Sequence, residues 1–222
     1  ARATIVSRRS AESCKADIPG DDPVQAIDDI TKRFSQQIDE LTKGLRSDLR
    51  ARLDTAQSGF VKRATDSLIA YLEKFGEQGT WNYDPAGLRV LQSAAYSNFS
   101  RAVRSRTTKL YDEAANSVEA VYRAVLGDNL PDFQIEAPHP PVVPPPVGLG
   151  KTIALDLQSS WWRTWWQKRR GFEAFANDYA HLIRAEAASI AQDLEDVQAA
   201  AVLESIRSTF KAFMGEHQET IR

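Results

Sequence analysis

The sequence is poor in cysteine and in long apolar runs, and each shortage excludes a class of protein. Cys14 is the single cysteine, so no disulfide can form within the chain, which fits a reducing compartment. No run of about 18 apolar residues occurs, so the sequence predicts no segment that spans a bilayer. The formal net charge of −2 gives no overall attraction to nucleic acid, and we expect no nucleic-acid partner.

Residue patterns that mark catalytic or metal sites are also lacking. The three histidines, His139, His181 and His217, are far apart and have no metal-ligand spacing. No histidine is placed to activate Cys14, and the acidic residues fall on polar helix faces. We therefore expect no catalytic residue, no cofactor and no metal ion, and we predict that this chain is not an enzyme.

Two short motifs resemble nucleotide-binding loops but lack the required context. Gly150-Lys151-Thr152 ends like a phosphate loop, yet Pro145 stands where the first glycine is needed, and a proline-rich stretch replaces the preceding strand. Asp17-Ile18-Pro19-Gly20 has the D-x-x-G pattern used near the γ-phosphate of GTPases, but no apolar strand or phosphate loop precedes it. We interpret the second motif as a turn and predict no nucleotide site at either position.

The sequence does contain helical periodicity over most of its length. Asp22 is a typical N-cap residue, and Pro23 suits the first helical position. Apolar residues then recur over residues 24–75 at intervals of about 3.6 residues. This spacing predicts one nearly straight helix about 80 Å long, with Gly44 and Gly59 as places where it bends. A helix of this length needs partner helices to cover its apolar stripe.

A second apolar stripe predicts a helix that returns along the first. It covers residues 88–125, follows a corner at Trp81-Asn82-Tyr83 and a start at Asp84-Pro85, and ends at Gly127. Together the two helices form a predicted hairpin over residues 23–127. We interpret its basic face as solvated surface, with contact to an acidic partner as the alternative. The basic residues of this face are Arg101, Arg104, Arg106 and Lys109.

The remainder of the chain predicts a linker and further helix. Residues 128–150 are proline-rich, which favours a semi-rigid polyproline II spacer, with a ligand for a proline-recognition domain as the alternative. Helix is expected to resume over residues 151–171 and to continue as a long helix over residues 172–222, with Val197 on its apolar stripe. The predicted fold class is all-α: an elongated antiparallel bundle of three or more long helices with a Pro-rich crossover, preceded by an N-terminal segment, residues 1–22.

Four of the five tryptophans lie in one basic stretch, residues 161–170, which we call the tryptophan segment. On a helix the four indoles form one continuous face with basic side chains at its margins. Such a face favours the headgroup level of a bilayer, because Trp prefers that level and Lys and Arg are attracted to anionic lipid. The alternative is a set of core tryptophans, which are commoner in proteins. The residues predicted to contact a membrane or partner are Trp161, Trp162, Arg163, Trp165, Trp166, Lys168, Arg169 and Arg170.

The stretch Leu149–Phe172, with Trp161-Trp162, Trp165-Trp166 and the run Lys168-Arg169-Arg170, resembles a stretch in the C-terminal, non-GTPase half of bacterial dynamin-family GTPases. In that family this half builds helical neck and stalk bundles with a tip that touches lipid. The resemblance implies a cytoplasmic stalk, peripheral at the inner face of an anionic membrane, which self-associates through its helices and whose GTPase domain lies outside this chain. A soluble scaffolding bundle that oligomerises through its long helices is the alternative function.

Overall fold

The protein is described by a computed structural model covering residues 22–75, 81–83, 86–126, 134–146, 153–155, 180–181, 184–185 and 187–221. The long helices are α1 (Pro23–Phe75), α2 (Ala86–Leu126) and α3 (Ala200–Ile221). Helical residues 187–193 and a π-helix, Leu194–Ala199, precede α3. Two short strands are also present, β1 (Trp81–Tyr83) and β2 (Ile153–Leu155). The predicted dominance of long helices is confirmed.

The first helix begins where the sequence predicts. The carboxylate Oδ1 of Asp22 accepts a hydrogen bond of 2.9 Å from the backbone N–H of Val24, so Asp22 is the N-cap and Pro23 follows as the first helical residue. The helix continues through Gly44 and Gly59 without interruption. Its 53 residues extend about 80 Å at about 1.5 Å per residue.

Side-chain contacts join α1 to α2 at successive levels. Arg33 near the start of α1 donates a hydrogen bond of 3.1 Å to Ser117 near the end of α2. Further along α1, Asp48 accepts a hydrogen bond of 3.1 Å from Arg106. Later positions of α1 therefore contact earlier positions of α2. Two helices joined by a short connection have this arrangement. The α1 residues buried in the shared core include Ile27, Phe34, Ile38, Leu45, Leu49 and Leu53.

The third helix packs against both of the others. Arg207 on α3 forms an ion pair of 3.0 Å with Asp39 on α1. On the α2 side, the buried hydroxyl of Tyr111 donates a hydrogen bond of 2.7 Å to the carbonyl oxygen of Ile206. The ring of Phe210 stacks on that of Tyr111, with centroids 6.4 Å apart. One core cluster therefore contains residues of α1, α2 and α3.

Residues 134–146 belong to neither helix nor strand and lie along the helices. Ile135, Ala137 and Val143 pack against the core cluster, and the backbone N–H of Ile135 donates a hydrogen bond of 3.3 Å to Glu119 on α2. This contact fixes the start of the proline-rich crossover near the C-terminal end of α2.

The length of the crossover suits the distance that the chain has to cover. From Glu119 back to Ala86, α2 rises about 50 Å. The chain reaches β2 eighteen positions after Ile135, and an extended polyproline chain of that length spans up to about 56 Å. An α-helix of the same length would span only about 27 Å. A helix would therefore fall short of this distance, and the non-helical, proline-rich residues 134–146 suit it.

Two predictions about one end of the hairpin need correction. Trp81–Tyr83 lies between α1 and α2, as predicted for the corner, but forms the strand β1, and Ile153–Leu155, predicted as helix, forms β2. The strands pair antiparallel, with Trp81 opposite Leu155. Each strand supplies hydrogen-bond partners for the backbone of the other, and this pairing joins segments that are far apart in the sequence. Helical periodicity carries no information about such a pairing.

A third correction concerns the helix predicted over residues 172–222. Its buried positions are three or four residues apart up to Leu194 and again from Ala199 onwards, but these two residues are five apart. In a regular α-helix, two residues five positions apart do not lie on the same face. The wider turn of the π-helix accommodates the extra residue, so that Leu194 and Ala199 are both buried. Val197, predicted on the apolar stripe, is consequently 61% exposed.

Candidate functional site

The predicted contact residues of the tryptophan segment lie outside the described residues, so their contact with a membrane or partner stays a prediction. These residues are Trp161, Trp162, Arg163, Trp165, Trp166, Lys168, Arg169 and Arg170. The second predicted cap, at Asp84-Pro85, also lies outside them. The described residues on either side of the segment, however, identify the part of the molecule to which it is joined.

Both flanks of the tryptophan segment lie at one end of the hairpin. On its N-terminal side, β2 pairs with β1, which follows α1 and precedes α2. On its C-terminal side, buried Ala180 lines a cavity of about 380 Å³ together with Val61 and Ile69, in the last four turns of α1. We call this end, formed by β1, β2 and the adjoining turns of α1 and α2, the tip. The two residues that bracket 156–179 therefore both lie at the tip.

The fifth tryptophan belongs to the core of the tip. Trp81 is only 2% exposed. On the adjoining turns of α2, Gln92 and Tyr96 are fully buried, yet within the part of the chain that the structure describes neither amide atom of Gln92 nor the hydroxyl of Tyr96 has a hydrogen-bond partner. Burial also raises the pKa of Tyr96. An unpaired buried amide costs about 1–3 kcal/mol. Buried polar atoms usually have hydrogen-bond partners, so these two side chains are less stabilising than typical core residues.

The basic face predicted on α2 is exposed to solvent. Its members are Arg101, Arg104, Arg106 and Lys109. Two of them have acidic neighbours: Arg106 lies 3.1 Å from Asp48, and the Lys109 ammonium lies 3.8 Å from Glu113. Ion pairs this exposed contribute about 0–1 kcal/mol each, so the pair between Arg106 and Asp48 does little to hold α2 on α1. Contact of this face with an acidic partner stays a prediction.

Sequence reasoning missed a cluster of ion pairs between α1 and the π-helix. We call Arg46, Glu195 and Asp196 together the charged fork. The Arg46 guanidinium on α1 reaches Glu195 at 3.0 Å and Asp196 at 2.6 Å. The hydrogen bond that Arg46 donates to Glu195 is the main cause that raises the pKa of Arg46. Gln198 donates a hydrogen bond of 3.0 Å to Asp193, five residues earlier, a spacing that suits i→i+5 geometry. The sequence carried no signal for the π-helix, because Val197 supplies an apolar residue at helical spacing and only burial separates it from Ala199.

A cavity of about 440 Å³ lies beside this fork, between α1 and the π-helix with the turns before it. Ala188 and Ala191 line it with small side chains, which leaves the space open. Its rim carries charges of both signs, including Arg50 and Asp54 of α1. The mixed rim favours neither anionic nor cationic ligands, and the cavity defines no reaction.

His217 lies near the end of α3, beside the C-terminal part of α2 and away from the tip. Its Nδ1 atom is 3.3 Å from the hydroxyl of Tyr122, and its ring meets that of Phe213 edge-on with centroids 4.6 Å apart. Burial lowers the pKa of His217, and the charge of neighbouring Glu216 opposes this only in part. Among the described residues, no three His, Cys, Asp or Glu side chains come together as a possible metal site.

Over the ranges that the structure describes, the fold is that of an all-α protein: long, mutually packed helices accompanied by a short strand pair. No protein-family model matches the chain, and neither a curated protein nor a solved structure matches it. The resemblance to dynamin-family stalks therefore stays a prediction. Within the described ranges, no helix combines the length and the apolar character needed to cross a membrane.

Proposed function

We propose that this chain is the helical stalk and membrane-contact module of a bacterial dynamin-like GTPase, without catalytic activity of its own. In this proposal the chain is an elongated antiparallel bundle that assembles with other copies through its long helices. Its tip contacts the anionic inner face of the membrane from the cytoplasm, in remodelling or tethering, and the GTPase domain lies outside the chain. The supporting observation is that Leu155 and Ala180, which bracket the tryptophan segment, both lie at the tip.

The packing of the helices supports this use of the segment. The apolar stripe of α1 that borders the core cluster is covered by α2 and α3, with Leu45, Leu49 and Leu53 nearly inaccessible to solvent. That part of the bundle therefore needs no further indoles to complete its core. In this proposal the four indoles extend from the tip, at one end of α1, a helix about 80 Å long, where they can reach a surface in front of it.

The energies are sufficient for reversible attachment. Burying the apolar surface of four indoles contributes several kcal/mol at about 25 cal/mol per Å². Each lysine or arginine close to an anionic lipid surface adds about 1 kcal/mol, and Lys168, Arg169 and Arg170 follow directly on the aromatic residues. Two weak contributions of this kind give binding that depends on salt and on lipid charge.

A soluble scaffolding bundle is the second candidate, and the burial of Trp81 favours it. This residue shows that the tip already uses one indole as core. If the other four serve the same purpose, truncating them removes core packing, at a cost of about 3–5 kcal/mol for each tryptophan. Loss of folding would then accompany any loss of binding.

Flotation with vesicles tests the two candidates. The wild-type chain is expected to float with vesicles that contain anionic lipid, and the variant Trp165→Ala/Trp166→Ala is expected to remain in solution while keeping its helical circular dichroism and its midpoint of thermal unfolding. Equal flotation of this variant and the wild type would refute the membrane proposal. Unfolding of the variant would instead support the scaffolding alternative.

A matched control removes exposed apolar surface from the other end of the bundle. Val125 and Leu126 are 53% and 50% exposed at the end of α2. The variant Val125→Ala/Leu126→Ala should float like the wild type if contact is made at the tip alone. Equal loss of flotation in both double variants would indicate unspecific hydrophobic adsorption.

A further inference from the structure

The exposure of residues 135–146 repeats every three positions. Three positions apart, the residues Glu136, His139, Val142 and Pro145 are all exposed. One position later in each case, the residues Ala137, Pro140, Val143 and Pro146 are all partly buried. A period of three is that of a polyproline II helix, and the six prolines of this stretch favour that conformation. The segment therefore behaves as a three-edged rod with one edge exposed along its whole length and another partly buried along its whole length.

The attachment of this rod to the bundle is anchored by apolar contacts. Ala137 and Val143, on the buried edge, pack against the core cluster. Ile135, on the neighbouring edge, packs there too and donates its N–H to Glu119. The rod is thus held in extended form before any partner arrives, which reduces the entropy cost of binding it.

The second half of the rod is open on two edges instead of one. Residues Ile135, Pro138 and Pro141 of the third edge are partly buried, but Pro144 on the same edge is exposed. Val142, at 91% exposed, and Pro145 form the outer edge beside it. A receptor groove can therefore enclose two adjacent edges here while Val143 remains packed on the bundle.

The chemistry of this surface restricts its partner. The exposed residues of this half are Val142, Pro144 and Pro145, and the two prolines present the kind of polyproline II surface that aromatic-lined grooves accept. Between Glu136 and Lys151 the sequence has no Asp, Glu, Lys or Arg, so recognition has to depend on apolar and aromatic contact instead of ion pairing. We propose that residues 142–145 are a docking site for a partner protein with an aromatic-lined polyproline-binding groove. This proposal is independent of the membrane contact at the tip.

Titration of the full chain into an isotope-labelled WW domain, and separately into an SH3 domain, tests the proposal, because both domains bind polyproline II ligands through aromatic grooves. At least one domain is expected to show shifts confined to its aromatic groove. The variant Pro144→Ala/Pro145→Ala should weaken this binding about tenfold or more. The matched control Pro138→Ala/Pro140→Ala, in the half of the rod with one open edge, should bind like the wild type.

Three results would overturn the docking site. Absence of groove shifts with both domains would remove it, as would equal binding by the two double-proline variants. Binding of a free peptide of residues 134–147 without binding of the full chain would mean that the bundle covers the surface. Because lipid flotation does not involve these prolines, failure here leaves the result at the tip unaffected.

Discussion

Deletion of Val197 tests the physical role of the π-helix. Buried Leu194 and Ala199 are five residues apart, and removing one exposed residue between them restores the four-residue step of a regular α-helix. We expect the shortened chain to form one continuous helix through this region with the same residues in the core. The π-helix would then be a local accommodation of one extra residue.

The expected cost of this deletion is small. Val197 is mostly exposed, so its loss removes little buried apolar surface. The Arg46 side chain is half exposed in its pairs with Glu195 and Asp196, so solvent screens these pairs and disturbance of the fork costs little. The free energy of unfolding should therefore change by no more than about 1 kcal/mol.

Deletion of Ser208, in the regular part of α3, is the matched control. It rotates the rest of the helix by about 100° and takes Phe210, Phe213 and Met214 off the core. At about 2–5 kcal/mol for each residue, the loss approaches the whole stability of a typical domain, about 5–15 kcal/mol. Urea unfolding followed by circular dichroism measures both deletions. Equal destabilisation by the two would refute the role assigned to the π-helix.

Three further predictions concern buried polar groups. Tyr111→Phe removes the hydrogen bond to Ile206 and should lower the free energy of unfolding by about 1–2 kcal/mol in urea denaturation; no change would mean that the bond contributes nothing. Gln92→Leu should raise stability by about 1–3 kcal/mol, because it removes an unpaired buried amide, and destabilisation would reveal a partner such as ordered water. Because burial lowers the pKa of His217 in the folded chain, the unfolded chain takes up the proton more readily, and stability should fall as pH drops below about 6.5. The variant His217→Gln should lose this part of the pH dependence between about pH 7.5 and pH 5, and an unchanged profile would contradict it.

The long helices follow from local features of the sequence. The stripe over residues 24–75 and the pair Asp22 and Pro23 specify α1, because helical periodicity and capping involve residues within a few positions of one another. The stripe over residues 88–125 specifies α2 within two residues at each end for the same reason.

Tertiary structure decided the features that depend on contacts between distant segments. The pairing of β1 with β2 requires two backbones far apart in the chain to meet, and neither three-residue strand carries a pattern of its own. The π-helix depends on which residue is buried, Ala199 instead of Val197, and both residues suit a helix in isolation. The attachment of both flanks of the tryptophan segment at the tip likewise follows from strand pairing and from the packing of Ala180 on α1. Periodicity fixes which residues share a helix face, whereas the partner of that face is set by packing over the whole chain.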